Sequence, residues 1–133
     1  MQHYILTGSF TWTRSLAPQG RERLAQIFCG IVTPDMAIWP PGGIGYLRDG
    51  LGLSSITDFR LDHTSLAFTK QYVYKPGPIR YSFTKEIGSK NKQWTGVWKR
   101  GGTSRGEATC YVFTEETNMD FINDLIQGLK TYP

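Results

Sequence analysis

Histidine and cysteine are scarce in this 133-residue chain, two of each, and their scarcity removes several chemistries at once. Cys29 and Cys110 have neither a C-x-x-C spacing nor a histidine pair nearby, which excludes a structural zinc site of the usual kind. With no secretory leader in view, the two thiols are expected to fill the core rather than pair as a disulfide. His3 and His63 assemble no Ser-His-Asp set, and His63 falls in the expected Asp62–Ser65 turn. Apolar runs such as Ile27 to Val32 are far below the ~20 residues of a membrane-spanning helix. The N-terminus lacks a basic start, an apolar stretch and a small-residue cleavage site, so the expected address is the cytoplasm. No phosphate loop and no strand-linked G-x-G-x-x-G fingerprint occurs, and no cofactor is expected.

What is present is the composition of a folded domain: 39% hydrophobic, 14% aromatic and only 20% charged residues. The length suits one domain over 1–133. Net charge is +4, but residues 70–105 carry nine basic side chains against the single acidic Glu86. That asymmetry predicts weak, salt-sensitive association with polyanions and no specific nucleic-acid recognition.

The chain alternates with period two over most of its length. Tyr4 to Thr13 places Leu6, Gly8, Phe10 and Trp12 on one face. Pro18 to Cys29 fits a helix or a strand equally well, and residues 39–52, dense in Pro and Gly, read as loop and turn. Ser55 to Leu61, Leu66 to Tyr74, Ile79 to Ile87 and Trp94 to Arg100 then read as an antiparallel meander, followed by a fifth run, Glu107 to Phe113. From Thr117 to Lys130 the period changes: Phe121, Ile122, Leu125, Ile126 and Leu129 form a helical stripe, which predicts a C-terminal α-helix packed outside the sheet or across one end.

Joining the runs through the tightest turns pairs Phe59 with Phe68, Tyr72 with Tyr81, and Phe83 with Trp98. One face then collects Thr57, Phe59, Leu61, Leu66, Phe68, Lys70, Tyr72, Tyr74, Ile79, Tyr81, Phe83, Lys85, Ile87, Trp94, Trp98 and Arg100. The other holds polar side chains such as Asp58, Arg60, Thr69, Arg80 and Lys99, with Ile56 and Val73 as exceptions. A meander with one aromatic face closes on itself or is covered, so the expected fold is mostly β: a single antiparallel up-and-down β-barrel.

Three long cations on the apolar face, Lys70, Lys85 and Arg100, are the anomaly, and no carboxylate falls on that face to meet them. Two readings stay open. In one, the barrel holds a small hydrophobic or amphipathic anion, with Phe68, Lys70, Tyr72, Tyr81, Phe83, Lys85, Trp98 and Arg100 as its binding residues. In the other, the cations sit near an open end, reach water and stack on the aromatic rings.

Gly43-Ile44-Gly45, Asp49-Gly50-Leu51-Gly52, Leu66 to Tyr72, Ile79-Arg80-Tyr81 and Gly96-Val97-Trp98, taken in order, resemble the lipocalin-like, or calycin-type, barrels, from about Thr7 to Phe113. The resemblance implies about eight to ten strands around a cavity for a small apolar or amphipathic ligand. In size the chain is closer to the intracellular fatty-acid-binding proteins than to secreted members. An enzyme acting on a small organic acid or aromatic substrate ranks below a binding protein, because no paired inward carboxylates are expected. Its kit would be Tyr72, Tyr81, Lys70 and Lys85. A purely protein-interacting barrel is the remaining alternative.

Overall fold

A computed structural model describes residues 2–12, 25–35, 42–85, 93–116 and 127. Eight strands follow one another in chain order: β1 (Gln2–Trp12), β2 (Gln26–Asp35), β3 (Gly42–Asp49), β4 (Gly52–Leu61), β5 (Ser65–Tyr72), β6 (Ile79–Thr84), β7 (Gln93–Arg100) and β8 (Thr103–Glu116). Each pairs antiparallel with the next, and β8 returns to β1, so the sheet closes into a barrel with no free edge. The expected C-terminal helix at 117–130, apart from Gln127, and the segment 18–24 lie outside the described residues. Cys29, at the end of the ambiguous stretch, is in β2.

Inward positions alternate along the strands, as a half-buried sheet requires, with a break in β4. Leu6, Phe10, Phe28, Val32, Leu47, Ile56, Phe59, Leu66, Phe68, Tyr81, Phe83, Trp94 and Trp98 form a single buried core. Trp98, Phe68, Phe83 and Tyr72, expected inside, are each at most 5% exposed. The rings of Phe59, Phe68, Tyr81, Phe83 and Trp98 follow one another with centroids 5.0 to 6.5 Å apart. Eight strands enclose a space that such side chains can fill.

Several sequence expectations require correction. The glycine-rich stretch from 42 is a strand, not a loop. At Gly45 an added Cβ would stand 2.0 Å from the Ile31 carbonyl oxygen, so glycine permits the close approach of β2 and β3. The hairpin registers also differ: Tyr81 pairs with Phe68 rather than Tyr72, and with Trp98, while Phe83 pairs with Leu66 and Gly96. The β5–β6 connection is four residues longer than the tightest turn, and this frees Tyr74, expected inside, to lie 63% exposed. The register offsets are even, so the inward set of β6 and β7 survives.

In β4 the parity changes. Thr57 pairs with Thr69 but Arg60 pairs with Ala67, and Asp58 takes φ 53° between them. This bulge turns Ile56 into the core and Thr57 to solvent, the reverse of the uniform alternation expected from sequence. Arg80 braces the bulge by donating to the Asp58 carbonyl and carboxylate, each at 3.2 Å, and to Thr69 Oγ1 at 3.0 Å.

Candidate functional site

At one end of the barrel lie the end of β1, the β3–β4, β5–β6 and β7–β8 turns, and the inward ends of their strands. Lys70 and Tyr72 alternate inward near the end of β5, and Asp49 terminates β3 on the same side. Asp49 is held first by its own turn, since the Leu51 N–H donates to its Oδ1 at 2.7 Å. Its Oδ2 accepts from Lys70 Nζ at 3.0 Å and from the Tyr72 hydroxyl at 2.7 Å, and Lys70 also donates to the Tyr72 oxygen at 3.0 Å. The Lys70 and Asp49 side chains are 1% and 0% exposed.

The ammonium is further surrounded by the rings of Phe10, Tyr72 and Tyr81, at 4.5, 4.6 and 5.1 Å from their centroids. Burial pushes Lys70 below the usual lysine range; the Asp49 carboxylate counters this and the Arg100 charge adds to it. Burial also raises the Tyr72 hydroxyl well above the usual tyrosine range, reinforced by the Asp49 charge and hydrogen bond. Tyr72 is therefore a persistent O–H donor and not a base.

The inward carboxylate that sequence reasoning lacked is thus Asp49, and Lys70 needs no external anion. Lys85 is separated from this group altogether. It follows β6 at the opposite end of the barrel, with Nζ 5.7 Å from the centroid of the Trp94 ring. Phe68 and Phe83 are buried in the packed interior. Tyr81, Trp98 and Arg100 do meet Lys70 and Tyr72 around a cavity of about 70 Å³, which Phe10, Trp12, Leu51, Tyr74, Lys75 and Ile79 complete.

Trp98 reaches this position because β8 carries glycine opposite it. A Cβ at Gly106 would stand 2.6 Å from the indole nitrogen, which instead donates to the Thr11 carbonyl at 2.9 Å. Trp12 meets Trp98 edge-on, with ring centroids 4.7 Å apart. Two of the residues that line the cavity, Trp12 and Arg100, each carry a buried donor without a hydrogen-bond partner, Nε1 and Nε respectively.

Two larger grooves, of about 380 Å³ each, run along the outer side of β2, β3 and β4. One is lined by Ile31, Ile44, Tyr46 and small polar residues, and the other adds Asp58 and Arg60, 3.9 Å apart. Neither brings unpartnered donors together, so the smaller inner cavity is the better candidate. His63 is exposed beside Asp62, which caps the turn by accepting from the Thr64 and Ser65 N–H groups. His3 is buried with neither ring nitrogen hydrogen-bonded. Among the described residues no cluster of His, Cys, Asp and Glu could hold a metal ion, and no helix is long and apolar enough to cross a membrane.

The chain matches no family model, and neither a curated protein nor a solved structure matches it significantly. The closed eight-stranded antiparallel barrel is compatible with a calycin-like fold on its topology alone.

Proposed function

We propose that the chain is a lipocalin-like binding protein for a small amphipathic anion, taken up at the barrel end that holds Trp12, Trp98 and Arg100. The observation that carries this reading is that two residues lining one small aromatic cavity, Trp12 and Arg100, each carry a buried N–H donor without an acceptor. A buried donor left unmade costs ~1–3 kcal/mol, and an oxyanion is the ligand group that relieves two such donors together. The apolar body of the ligand rests against Trp12, Trp98, Tyr74 and Ile79, which line the same space. Lys75 lies on the rim and adds a second positive charge.

The role of the inward cations is divided in this reading. Arg100 faces the ligand, Lys70 is neutralised by Asp49, and Lys85 takes no part.

Quenching of tryptophan fluorescence by phenylacetate, compared with its neutral amide, tests the proposal. The carboxylate is expected to bind and the amide not. Replacing Arg100 with leucine is expected to weaken carboxylate binding about tenfold or more, the loss of one charge-assisted hydrogen bond. Equal binding of acid and amide, or no effect of Arg100→Leu, overturns the anion reading.

A further inference from the structure

The inner cavity ends on a lysine, and its size restricts what reaches that lysine. About 70 Å³ is roughly twice the ~30 Å³ share of one liquid water, room for a carboxylate and the adjoining carbonyl, so that a larger apolar body extends past the exposed rim residues Tyr74 and Lys75. Trp12 and Arg100, each with a buried donor that has no partner, line this cavity together with Lys70. Lys70 Nζ is enclosed by Phe10, Tyr72 and Tyr81 and touches one carboxylate and one hydroxyl. That is the surrounding of a lysine nucleophile: an amine desolvated among rings, close to a second cation, with an acid–base group in contact.

We propose that Lys70 forms an imine with the carbonyl of a small 2-oxo acid whose carboxylate rests on Arg100 and Trp12. The inference rests on the binding reading above and names its ligand class. Asp49 Oδ2, 3.0 Å from Nζ, takes a proton from the ammonium, and the freed amine adds to the carbonyl carbon. Asp49 returns that proton to the hydroxyl of the adduct, which leaves as water as the C=N bond forms. The step consumes one ammonium and one carbonyl, releases one water, and leaves an iminium beside ionised Asp49. The charge on the buried pair is the same before and after, so no unpaired ion is created. Burial and the neighbouring Arg100 both favour the neutral amine that the addition requires. Tyr72, which keeps its proton, holds Asp49 in place.

Incubation with pyruvate or phenylpyruvate and cyanoborohydride, followed by intact-mass and peptide analysis, tests the step, with tryptophan quenching read in parallel. One reduced adduct on Lys70 is expected with either probe, and Arg100→Leu lowers its yield about tenfold at subsaturating probe. No adduct is expected in Lys70→Met, nor in Lys70→Met combined with Asp49→Leu, which keeps the buried site neutral should the single variant not fold. Quenching without an adduct on Lys70, or label spread over Lys75, Lys85 and Lys99, overturns the imine proposal and leaves the binding reading standing. Absence of quenching and of adduct with both probes overturns the imine proposal, and failure of phenylacetate as well removes the binding reading on which it rests.

Discussion

Around Phe68 the interior of the barrel is closed by ring upon ring, whereas two to four positions further along β5 it holds an ion pair, a buried hydroxyl and two donors without acceptors. Both regions are built by the same alternation, and β5 contributes to each, Phe68 to one and Lys70 with Tyr72 to the other. They reach stability differently. The aromatic region satisfies itself by shape, and any atom removed leaves a void. The polar region satisfies itself by charge, and only while both partners are present.

The largest expected effect tests the first half of that contrast. Phe68→Ala should cost about 3–5 kcal/mol in denaturant unfolding, the usual range for deleting a buried phenylalanine. A loss below about 1 kcal/mol would show that the aromatic region can collapse around the gap.

Asp49→Leu probes the second half. Removing one partner of a buried pair costs ~3–5 kcal/mol, and the lower end is expected because Lys70, already depressed by burial, can shed its proton. Adding Lys70→Met should restore stability to within about 1 kcal/mol of the original chain, since an apolar replacement of a buried ion pair is often neutral. Failure to recover would mean that Asp49 matters through the Leu51 N–H and not through Lys70.

A smaller effect separates the regions by pH. The Cys110 thiol is pushed up to about 12 by burial, and burial also lifts the Tyr81 hydroxyl. For these groups the unfolded chain ionises first, so the contribution of Cys110 is complete below pH 9 and that of Tyr81 below pH 10, and each is lost as pH rises from there toward the folded value. Each such group costs about 1.4 kcal/mol per pH unit in that window. Cys110→Ala should therefore flatten the decline between pH 9 and 11, measured against its own stability at pH 7, whereas an unchanged slope would place the effect elsewhere.

Arg100→Leu should move stability least, by under about 1 kcal/mol in either direction, because the Nε donor it removes has no partner to lose. A loss above about 2 kcal/mol would make Arg100 part of the scaffold and not of the ligand wall.

Much of the barrel is legible in the sequence. The inward faces of β5, β6 and β7 follow from alternation, which survives turn lengths that differ from the tightest ones by an even number of residues. Alternation gives the face of a residue but not its height along the barrel, so Lys85 and Arg100 were grouped although they stand at opposite ends. Asp49 is hidden by its neighbours: glycines at 42, 43, 45, 50 and 52 look like a loop, and the role of Gly43 and Gly45 in close strand approach is a three-dimensional fact. The clue was present in the parity that Asp49 shares with Leu47 and Gly45. Trp12 shared the inward parity of Phe10, but its unsatisfied nitrogen depends on what lies across the barrel. The Asp58 bulge has no period of its own; only the misplaced Ile56 hinted that the alternation breaks.

The seam between β1 and β8 bears on how the chain is made. It joins Gln2 to Glu116 through eleven paired positions, the most distant partners in the sequence. Because β1 precedes β8 in the chain, the growing chain presents two unpaired strand borders until β8 is available to pair with β1. Pairing at such separation is slow. A nascent barrel of this design is a sticky ribbon for most of its translation, and chaperone demand should fall abruptly once β8 is complete.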